Sequence, residues 1–445
     1  MKRILERAKF VKINGEYDIC IIGGSCTGVF AAIRASRLGA KVVIIEKMNS
    51  FGGVATQGLV NVWHSLYDTE WKKQIIAGLS LEIIERLKRR NAVIEKRSNS
   101  TAFILNTEEL KIELDQIICE NRRITPMLHT LYCAPYLKDG RLLGVFIENK
   151  DGRQLIKAKI FIDASGDGDL AYHLKVPQIH DGELQPPTTC AKIRNLCPDK
   201  IDLKEMIKKH REEFGLAKDF GWNGEIPGAD DIRMYAETHV FKIDASKANQ
   251  LTEAEIEGRR QIRAIMDIFR KYAPSRKMQL LALPSQIGIR ETRRFKGEYL
   301  LKGNELLNGE KFDDAIANGS YRIDVHNASD GGFIFRYLDG TEEQISFSGY
   351  KKTRWRPETE SNPTFYQIPY RIMLNKKVDN LIFTGRMISA DKSAFGAVRV
   401  MINLNQLGEA AGTAAYLALN SNIPLHLVSS TKLRKTLSKG GSIIL

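Results

Sequence analysis

Six consecutive residues, Gly23-Gly24-Ser25-Cys26-Thr27-Gly28, have the types and spacing to grip a pyrophosphate. They follow the apolar run YDICII (17–22), which suits a buried parallel strand. They precede VFAAIRASRLG (29–39), which reads as a helix ending at Gly39. Gly23 permits a tight turn, and Gly28 lets the helix pack close to the strand. The free N–H groups at the start of that helix point at phosphate oxygens. Ser25 stands where G-x-G-x-x-G has its middle glycine, and its small side chain still lets the phosphate approach. KVVII (41–45) supplies a second strand, and Glu46 closes it about 20 residues beyond the loop. A carboxylate there accepts bonds from a ribose diol and repels an additional phosphate. Strand, loop, helix, strand and acid in that order define a dinucleotide site.

Other residues have types suited to chemistry. WHSLYD places His64 and Tyr67 a little further on. A histidine can pass a proton near neutral pH, or it can be hydrogen-bonded into a packed loop. GIRETRRFKGEY holds Arg290, Arg293 and Arg294 beside Glu291. Closely spaced arginines can clamp a carboxylate in a bidentate way, or pair with acids and stitch two domains together. FYQIPYR carries Tyr366, Tyr370 and Arg371 and reads as a strand and hinge, with substrate contact as the alternative. The Cys26 thiol lies beside a helix N-terminus, which would lower its pKa, but a bound cofactor would cover it, so a small filler is expected. The six cysteines, Cys20, Cys26, Cys119, Cys133, Cys190 and Cys197, form no C-x-x-C pair. Zinc and iron–sulfur signatures are therefore absent, and no metal is expected.

These groups need a frame. On the first helix Gly28, Ala31, Ala35 and Leu38 share one face, so small residues meet the sheet. TEWKKQIIAGLSLEIIERLKRR (69–90) has helical spacing, and NTEELKIELDQIICENR (106–122) is a second helix with Asn106 or Thr107 as its cap. Strands are expected at 127–137, 142–148 and 153–161, separated by turns at Lys138-Asp139-Gly140 and Lys150-Asp151-Gly152. A short apolar strand (159–162) runs into Ala164-Ser165-Gly166, and Asp167-Gly168-Asp169 opens a short helix before Pro177. Near the other end a strand (380–383) leads to Thr384-Gly385-Arg386. A loop holding Phe395-Gly396 follows, then a long helix from about Ala397 with Gly408, Ala411, Gly412 and Ala415 on one face.

The nucleotide is NAD or FAD on this pattern. EKMNSFGGVATQGLVN puts Gly52-Gly53 and Gly58 just after Glu46, where an NAD domain would continue into a helix. An extended small-residue loop suits the longer cofactor, FAD, lying across the sheet edge. The segment 17–61 resembles the N-terminal region of FAD-dependent oxidoreductases of the glutathione-reductase-like superfamily. It is similar, more narrowly, to a bacterial branch with G-G-x-A-T-x-G after the acid, to which the flavin part of heterodisulfide reductase is related. The resemblance implies an α/β fold: a discontinuous Rossmann-like, GR2-like FAD-binding domain (1–175 and 370–445) with a second, mixed α+β substrate or cap domain (176–369). It implies cofactor contacts at Gly23, Gly24, Ser25, Cys26, Thr27, Gly28, Glu46, Lys47, Gly52, Gly53 and Thr56. Further contacts are implied at Ala164, Gly166, Asp167, Gly385, Arg386, Gly396, Val398 and Arg399. The strands at 127–161 resemble the small sheet inserted in such flavoproteins, and Pro186-Pro187-Thr188 resembles the way into the second-domain sheet. Arg386 stands where the wider superfamily has an acid for the ribitol chain, and the narrower branch shares the Gly-Arg form. In relatives resembling fumarate reductase a histidine of the loop after the acid bonds the flavin; that place falls at Gly52, so non-covalent FAD is expected. Arg399, in the first turn of the long helix, is expected to face the reduced flavin unless it pairs with an acid such as Asp391.

Flavin does the hard chemistry, so catalytic residues should face its ring or bind substrate; His64, Arg290, Arg293 and Arg399 are the candidates. A hydride or electron pair would pass between a small, anionic substrate and flavin N5. There is no C-x₄-C disulfide motif after the loop, no second G-x-G-x-x-G and no aspartate–glycine hydroxylase fingerprint, so an external electron donor or acceptor is expected. The chain has 445 residues and a formal net charge of +14, spread without blocks. That charge suits anionic ligands and is the one support for the alternatives of a tRNA-modifying enzyme; nucleic acid is otherwise not expected as a partner. A third alternative is an electron-transferring flavoprotein subunit of a complex. No apolar run approaches the ~18 residues of a membrane span, and the N-terminal MKRILERAKFVKI lacks a signal-peptide core. A reducing, cytoplasmic setting is therefore expected.

Overall fold

A computed structural model describes residues 4, 8–97, 103–196, 202–219, 221–329, 331–347 and 349–445. Cys197 and most of the first seven residues lie outside them. The first nucleotide unit forms as its sequence pattern requires: β1 (Lys12–Ile22), α1 (Cys26–Leu38) and β2 (Val42–Ile45). Gly39 ends α1 in the left-handed region at φ 116°, a conformation glycine adopts without steric cost. Then come α2 (Leu79–Lys88), α3 (Thr107–Glu120), β3 (Ile124–Met127), β4 (Leu131–Lys138), β5 (Arg141–Asn149), β6 (Gly152–Asp163) and α4 (Asp169–His173).

β3, β2, β1 and β6 run side by side in parallel, and β17 (Leu381–Phe383) adds to β6 in the same sense. The N-terminal half of β6 also pairs antiparallel with β5, and β5 with β4. The two strands expected at 153–161 and 159–162 are thus one strand, and the small meander is continuous with the main sheet. Two further expectations are corrected. Helix α2 begins only at Leu79, after Gly78 at φ 67°, and residues 69–78 form turns. The strand expected at 127–137 is two, because β3 ends at Met127 and the chain turns at His129 before starting the meander. Asn106 is the cap of α3: its side chain accepts from the N–H of Glu108 at 3.1 Å.

The middle of the chain supplies two antiparallel sheets. One joins β7 (Ala191–Arg194), β8 (Trp222–Glu225), β9 (Ile232–Ala236) and β10 (Gln279–Ala282), with α5 (Leu203–His210) and the 25-residue α6 (Ala248–Tyr272) beside it. After β11 (Ala315–Gly319), the second is the meander β12 (Ile323–His326), β13 (Gly332–Arg336), β14 (Thr341–Ser346) and β15 (Gly349–Arg354). β11 pairs with β16 (Tyr366–Pro369). The largest hydrophobic core takes in Leu301, Ile316, Ile323 and Leu338 together with α1 and the C-terminal helices. The stretch expected as a second domain therefore shares a core with the first.

After β17 the chain forms α7 (Lys392–Val398), α8 (Met401–Ser421) and α9 (Ser430–Lys439). Phe395-Gly396 is not loop but part of α7, and the long helix starts at Met401, four residues later than expected. The cause is Asp391, which caps α7 by accepting from the Ala394 N–H at 2.7 Å and so starts a helix early. α8 crosses α1 at contact distance. A Cβ on Gly408 would run into the Thr27 carbonyl, and one on Gly412 into that of Ala31.

Candidate functional site

The pyrophosphate loop sits where β1 ends. Gly23 has φ +100°, and a Cβ there would strike the Ala164 backbone; a Cβ on Gly28 would strike the Gly23 carbonyl. These clashes explain both glycines without reference to a ligand. What speaks for a ligand is the start of α1: Ser25 sits at the N-cap, yet its side chain accepts no bond from the first turn. A helix N-terminus left uncapped behind small residues is a ready anion site. The next loop folds onto it. Gly52 N–H donates to the Gly24 carbonyl at 2.8 Å, and a Cβ on Gly53 would lie 2.8 Å from that of Ser25. Thr56 is taken up internally, donating to the Phe51 carbonyl at 2.6 Å. Burial pushes the Cys26 thiol up to about 12, with Sγ 3.5 Å from the Gly52 carbonyl, so the expected lowering does not occur and the residue is an inert filler.

Glu46 is buried at the tip of β2. Its carboxylate accepts from the N–H of Gly24 at 2.6 Å and of Met48 at 2.8 Å. One lone pair on each oxygen stays open for a ribose diol; Lys47 beside it is exposed. Glu46→Ala removes the loop anchor together with the two oxygens open to a ribose diol. At about 1.5–3 kcal/mol for bonds to a charged group, FAD affinity should fall about tenfold to hundredfold, read as FAD per protein after gel filtration. Unchanged affinity would place the adenosine end elsewhere.

The return loop is held from β6. Asp163 accepts from Ser165 N–H at 3.1 Å, Ser165 Oγ at 2.7 Å and Ala171 N–H at 2.9 Å; burial pushes its carboxyl up to about 6. Asp167 is bonded by Arg386 and by Thr292 Oγ1 at 2.7 Å. Arg386, next to Gly385, thus covers Gly166 and locks the 166–167 and 385–386 loops to each other. On α7, Val398 is buried and a Cβ on Gly396 would lie 2.8 Å from the Asp324 carbonyl. That close approach brings β12 against α7.

The arginines expected to form one clamp separate. Arg293 donates to the Asp167 carbonyl at 3.3 Å, Asp169 at 3.2 Å and the Ser246 carbonyl at 3.1 Å, which ties the return loop to the central region. Arg294 pairs with Asp181 and, at 3.1 Å, with Glu291. Both are structural ion pairs. Arg290 turns the other way. It donates to the Pro186 carbonyl and to Thr188 Oγ1, each at 2.6 Å, and burial with nearby Arg399 lowers its pKa to about 10. Tyr366 and Tyr370 donate to the carbonyls of Tyr321 and Leu425, each at 3.1 Å, and Arg371 pairs with Asp314 at 3.0 Å, so FYQIPYR is framework.

Arg399 lies between α7 and α8 rather than in the first turn of the long helix. Its partner is Asp324, not Asp391: Nη2 is 3.5 Å from Oδ2 and 3.2 Å from the Asp324 carbonyl. Around Asp324 the fold gathers residues that sequence reading passed over. Tyr321 donates to Asp324 Oδ2 at 2.8 Å, and His326 Nε2 is 3.3 Å from Oδ1. The His64 ring lies 3.9 Å from that of Tyr321, and Arg322 is beside both. Burial and the charges of Arg322 and Arg399 lower His64 to about 3. It is therefore neutral at pH 7 and serves no imidazolium role. Burial raises the Asp324 carboxyl, but His326, Arg399 and Arg322 outweigh it and hold it well below the usual range. Burial and Arg290 keep His326 neutral.

Arg399 thus pairs with Asp324, and the charges of Arg322 and Arg290 also act on that carboxylate. The nearby acids are committed elsewhere: Asp219 bonds His239 at 2.9 Å, and Glu343 accepts from Tyr337 and Tyr350 at 2.7 and 2.8 Å. Among the described residues, buried Nε atoms of Arg322 and Arg399, Nδ1 of His64 and His326, and Oδ1 of Asp324 have no hydrogen-bond partner. Buried polar atoms without partners point to an absent polar ligand. The signal was visible in YRIDVH (321–326), whose alternate residues on a strand put Asp324 and His326 on one face.

A βαβ unit with an uncapped helix over a glycine turn, an acid at the second strand and a C-terminal strand closing the sheet defines a dinucleotide-binding flavoenzyme. Residues 18–437 match the family model of FAD dependent oxidoreductases. The chain belongs to that family: it is an enzyme, and its cofactor is FAD. It is 27% identical over 109 residues to mitochondrial dihydrolipoyl dehydrogenase of Schizosaccharomyces pombe, covering 22% of this chain and 21% of that protein. To dihydrolipoyl dehydrogenase of Bacillus subtilis it is 31% identical over 106 residues, 22% of each chain. The match spans about a fifth of the length of these curated relatives. Among solved structures it resembles a triple mutant of the flavin-dependent brominase Bmp2, with 11% identity, coverage of 96% of this chain and 85% of that one, and a TM-score of 0.49. It also resembles a geranylgeranyl bacteriochlorophyll reductase-like protein of Thermoplasma acidophilum, with 13% identity, coverage of 95% and 83%, and a TM-score of 0.46. Among the described residues no helix is long and apolar enough to cross a membrane.

Proposed function

We propose that this enzyme moves a hydride, or an electron pair, between a small anionic substrate and N5 of FAD. The observation that carries the reading is the excess of buried guanidinium over carboxylate around Asp324, which calls for an anion. FAD, when bound, supplies the electron-accepting ring. Residues 1–175 and 370–445 hold it, and 176–369 bring the substrate side. Ser25, Cys26, Thr27 and Gly28 present backbone N–H groups to the pyrophosphate, Glu46 holds the ribose, and the Gly166–Asp167 and Gly385–Arg386 loops flank the remainder. Arg290, Arg322 and Arg399 bind and orient the anion, while neutral His64 donates or accepts a hydrogen bond. Arg293 acts only by fixing the return loop. An external donor or acceptor completes turnover, to be identified by reducing the protein anaerobically and screening small acids and carriers for reoxidation. The flavin is held non-covalently, so acid precipitation should release all colour from the pellet; a yellow pellet would refute this.

Arg399 also bears on the flavin. The first turn of α8, two residues on, has no side-chain cap, and a helix N-terminus carries partial positive charge. Arg399→Ala removes a cation and leaves Asp324 less compensated. The two-electron midpoint potential should drop by some tens of millivolts, since ~30 mV corresponds to about 1.4 kcal/mol. No shift with FAD fully bound would take Arg399 out of the flavin's field.

A further inference from the structure

We propose that the anion bound beside Asp324 is a carboxylate carried on a planar, conjugated ring; this rests on the reading of that cluster as the substrate site. The argument starts from the register of β12 and β13. Asp324 lies opposite Phe335, and His326 opposite Phe333, so all four share one face of the hairpin. The rings of Phe333 and Phe335 are stacked with planes 2° apart and centroids 5.8 Å apart. His326 meets Phe333 edge-on at 4.4 Å. The Arg322 guanidinium lies 3.9 Å over the Phe335 ring, with Tyr321 and Tyr337 at 5.5 and 5.6 Å.

Burial divides this face in two. Asp324 and His326 are buried, whereas Tyr321, Arg322, Phe333, Phe335 and Tyr337 are half-buried and keep part of their surface open. The charged floor therefore sits beside an aromatic wall that keeps part of its surface open. A guanidinium packed on a ring directs its N–H fork edgewise, within its own plane. A carboxylate taken by that fork lies in the same plane. If the carboxylate is conjugated to a ring, that ring continues the plane and runs parallel to Phe335 and Phe333, in the offset arrangement aromatic pairs favour. A saturated acid satisfies the fork but is too thick and puckered to use the wall.

Three probes separate the charge from the ring: benzoate, cyclohexanecarboxylate and benzyl alcohol. Each is titrated into the FAD-loaded protein, with calorimetry and the flavin absorption spectrum as readouts. Benzoate should bind at least about tenfold more tightly than cyclohexanecarboxylate, and benzyl alcohol should not bind. Phe335→Leu should bring the two acids to near-equal affinity, Phe335→Tyr should keep the preference, and Arg322→Gln should weaken both acids at least about tenfold, a loss in the range of bonds to a charged group. Equal binding of the two acids to the parent, or an unchanged preference in Phe335→Leu, overturns the ring assignment and leaves the anion site standing. If neither acid binds, the anion site itself falls, and this assignment with it.

Discussion

Gly28→Val should be recovered colourless, with FAD affinity reduced at least a hundredfold. The new side chain would start inside the Gly23 carbonyl and press on the Ala164 Cβ at 3.4 Å. Neither can yield: Gly23 already sits at φ +100° against the backbone of residues 164 and 165. Overpacking of this kind costs typically 1–3 kcal/mol. Here it displaces the N–H groups that would meet the pyrophosphate, so about 3 kcal/mol falls on binding, which is roughly a hundredfold. The measurement is the ratio of flavin to protein absorbance after purification, followed by FAD titration. A valine protein that retains stoichiometric FAD would show that α1 does not approach its strand as closely as described.

The largest effect on stability should come from Glu409→Ala. Glu409, on α8, is 1% exposed and pairs with Arg34 of α1, itself 5% exposed. The same carboxylate accepts from the Leu79 N–H at 3.0 Å and Ser442 Oγ at 3.1 Å. Removing it leaves a buried guanidinium without its counter-charge, bonded only to the Gly440 carbonyl at 2.8 Å, and removes the acceptor of the first α2 N–H. Breaking one side of a buried pair costs about 3–5 kcal/mol, which should appear as a lower denaturant midpoint. Replacing Arg34 and Glu409 together with Met and Leu should recover most of that loss, because two charges no longer need to be kept from water. A single variant within 1 kcal/mol of the parent, by contrast, would mean that water reaches the pair.

How far the sequence could be read depended on how local each constraint was. The β1–α1–β2 unit was legible because turn, helix start and acid lie within one short stretch, and each glycine there has a steric reason. The small face of the C-terminal helix was legible for the same cause: Gly408 and Gly412 touch backbone. The helix start was misplaced because Asp391 is a cap, and it starts a separate short helix before the long one. The roles of Arg290, Arg293 and Arg294 could not be told apart from spacing, since their partners, Pro186, Asp169 and Asp181, lie over 100 residues away. The Asp324 cluster escaped for a related reason. Its members come from 64, 290, 321–326 and 399, and only the hairpin β12–β13 and the Gly396 contact bring them together. His64 shows the opposite error: its type suggested titration near neutrality, and its burial among cations forbids it.

The crossing of α1 and α8 has a consequence for synthesis on the ribosome. Gly408 and Gly412, which cover Thr27 and Ala31, are made only after the whole of the chain between them. Until then the alanine face of α1 has no lid, β6 lacks its neighbour β17, and the loop at Gly385 does not exist. Contacts this distant in sequence close slowly, because the chain between them must first be ordered. Until α8 is made, the nascent chain therefore carries an open apolar groove that is vulnerable to wrong association. Chains that end before α8 should therefore be found bound to chaperones rather than to flavin.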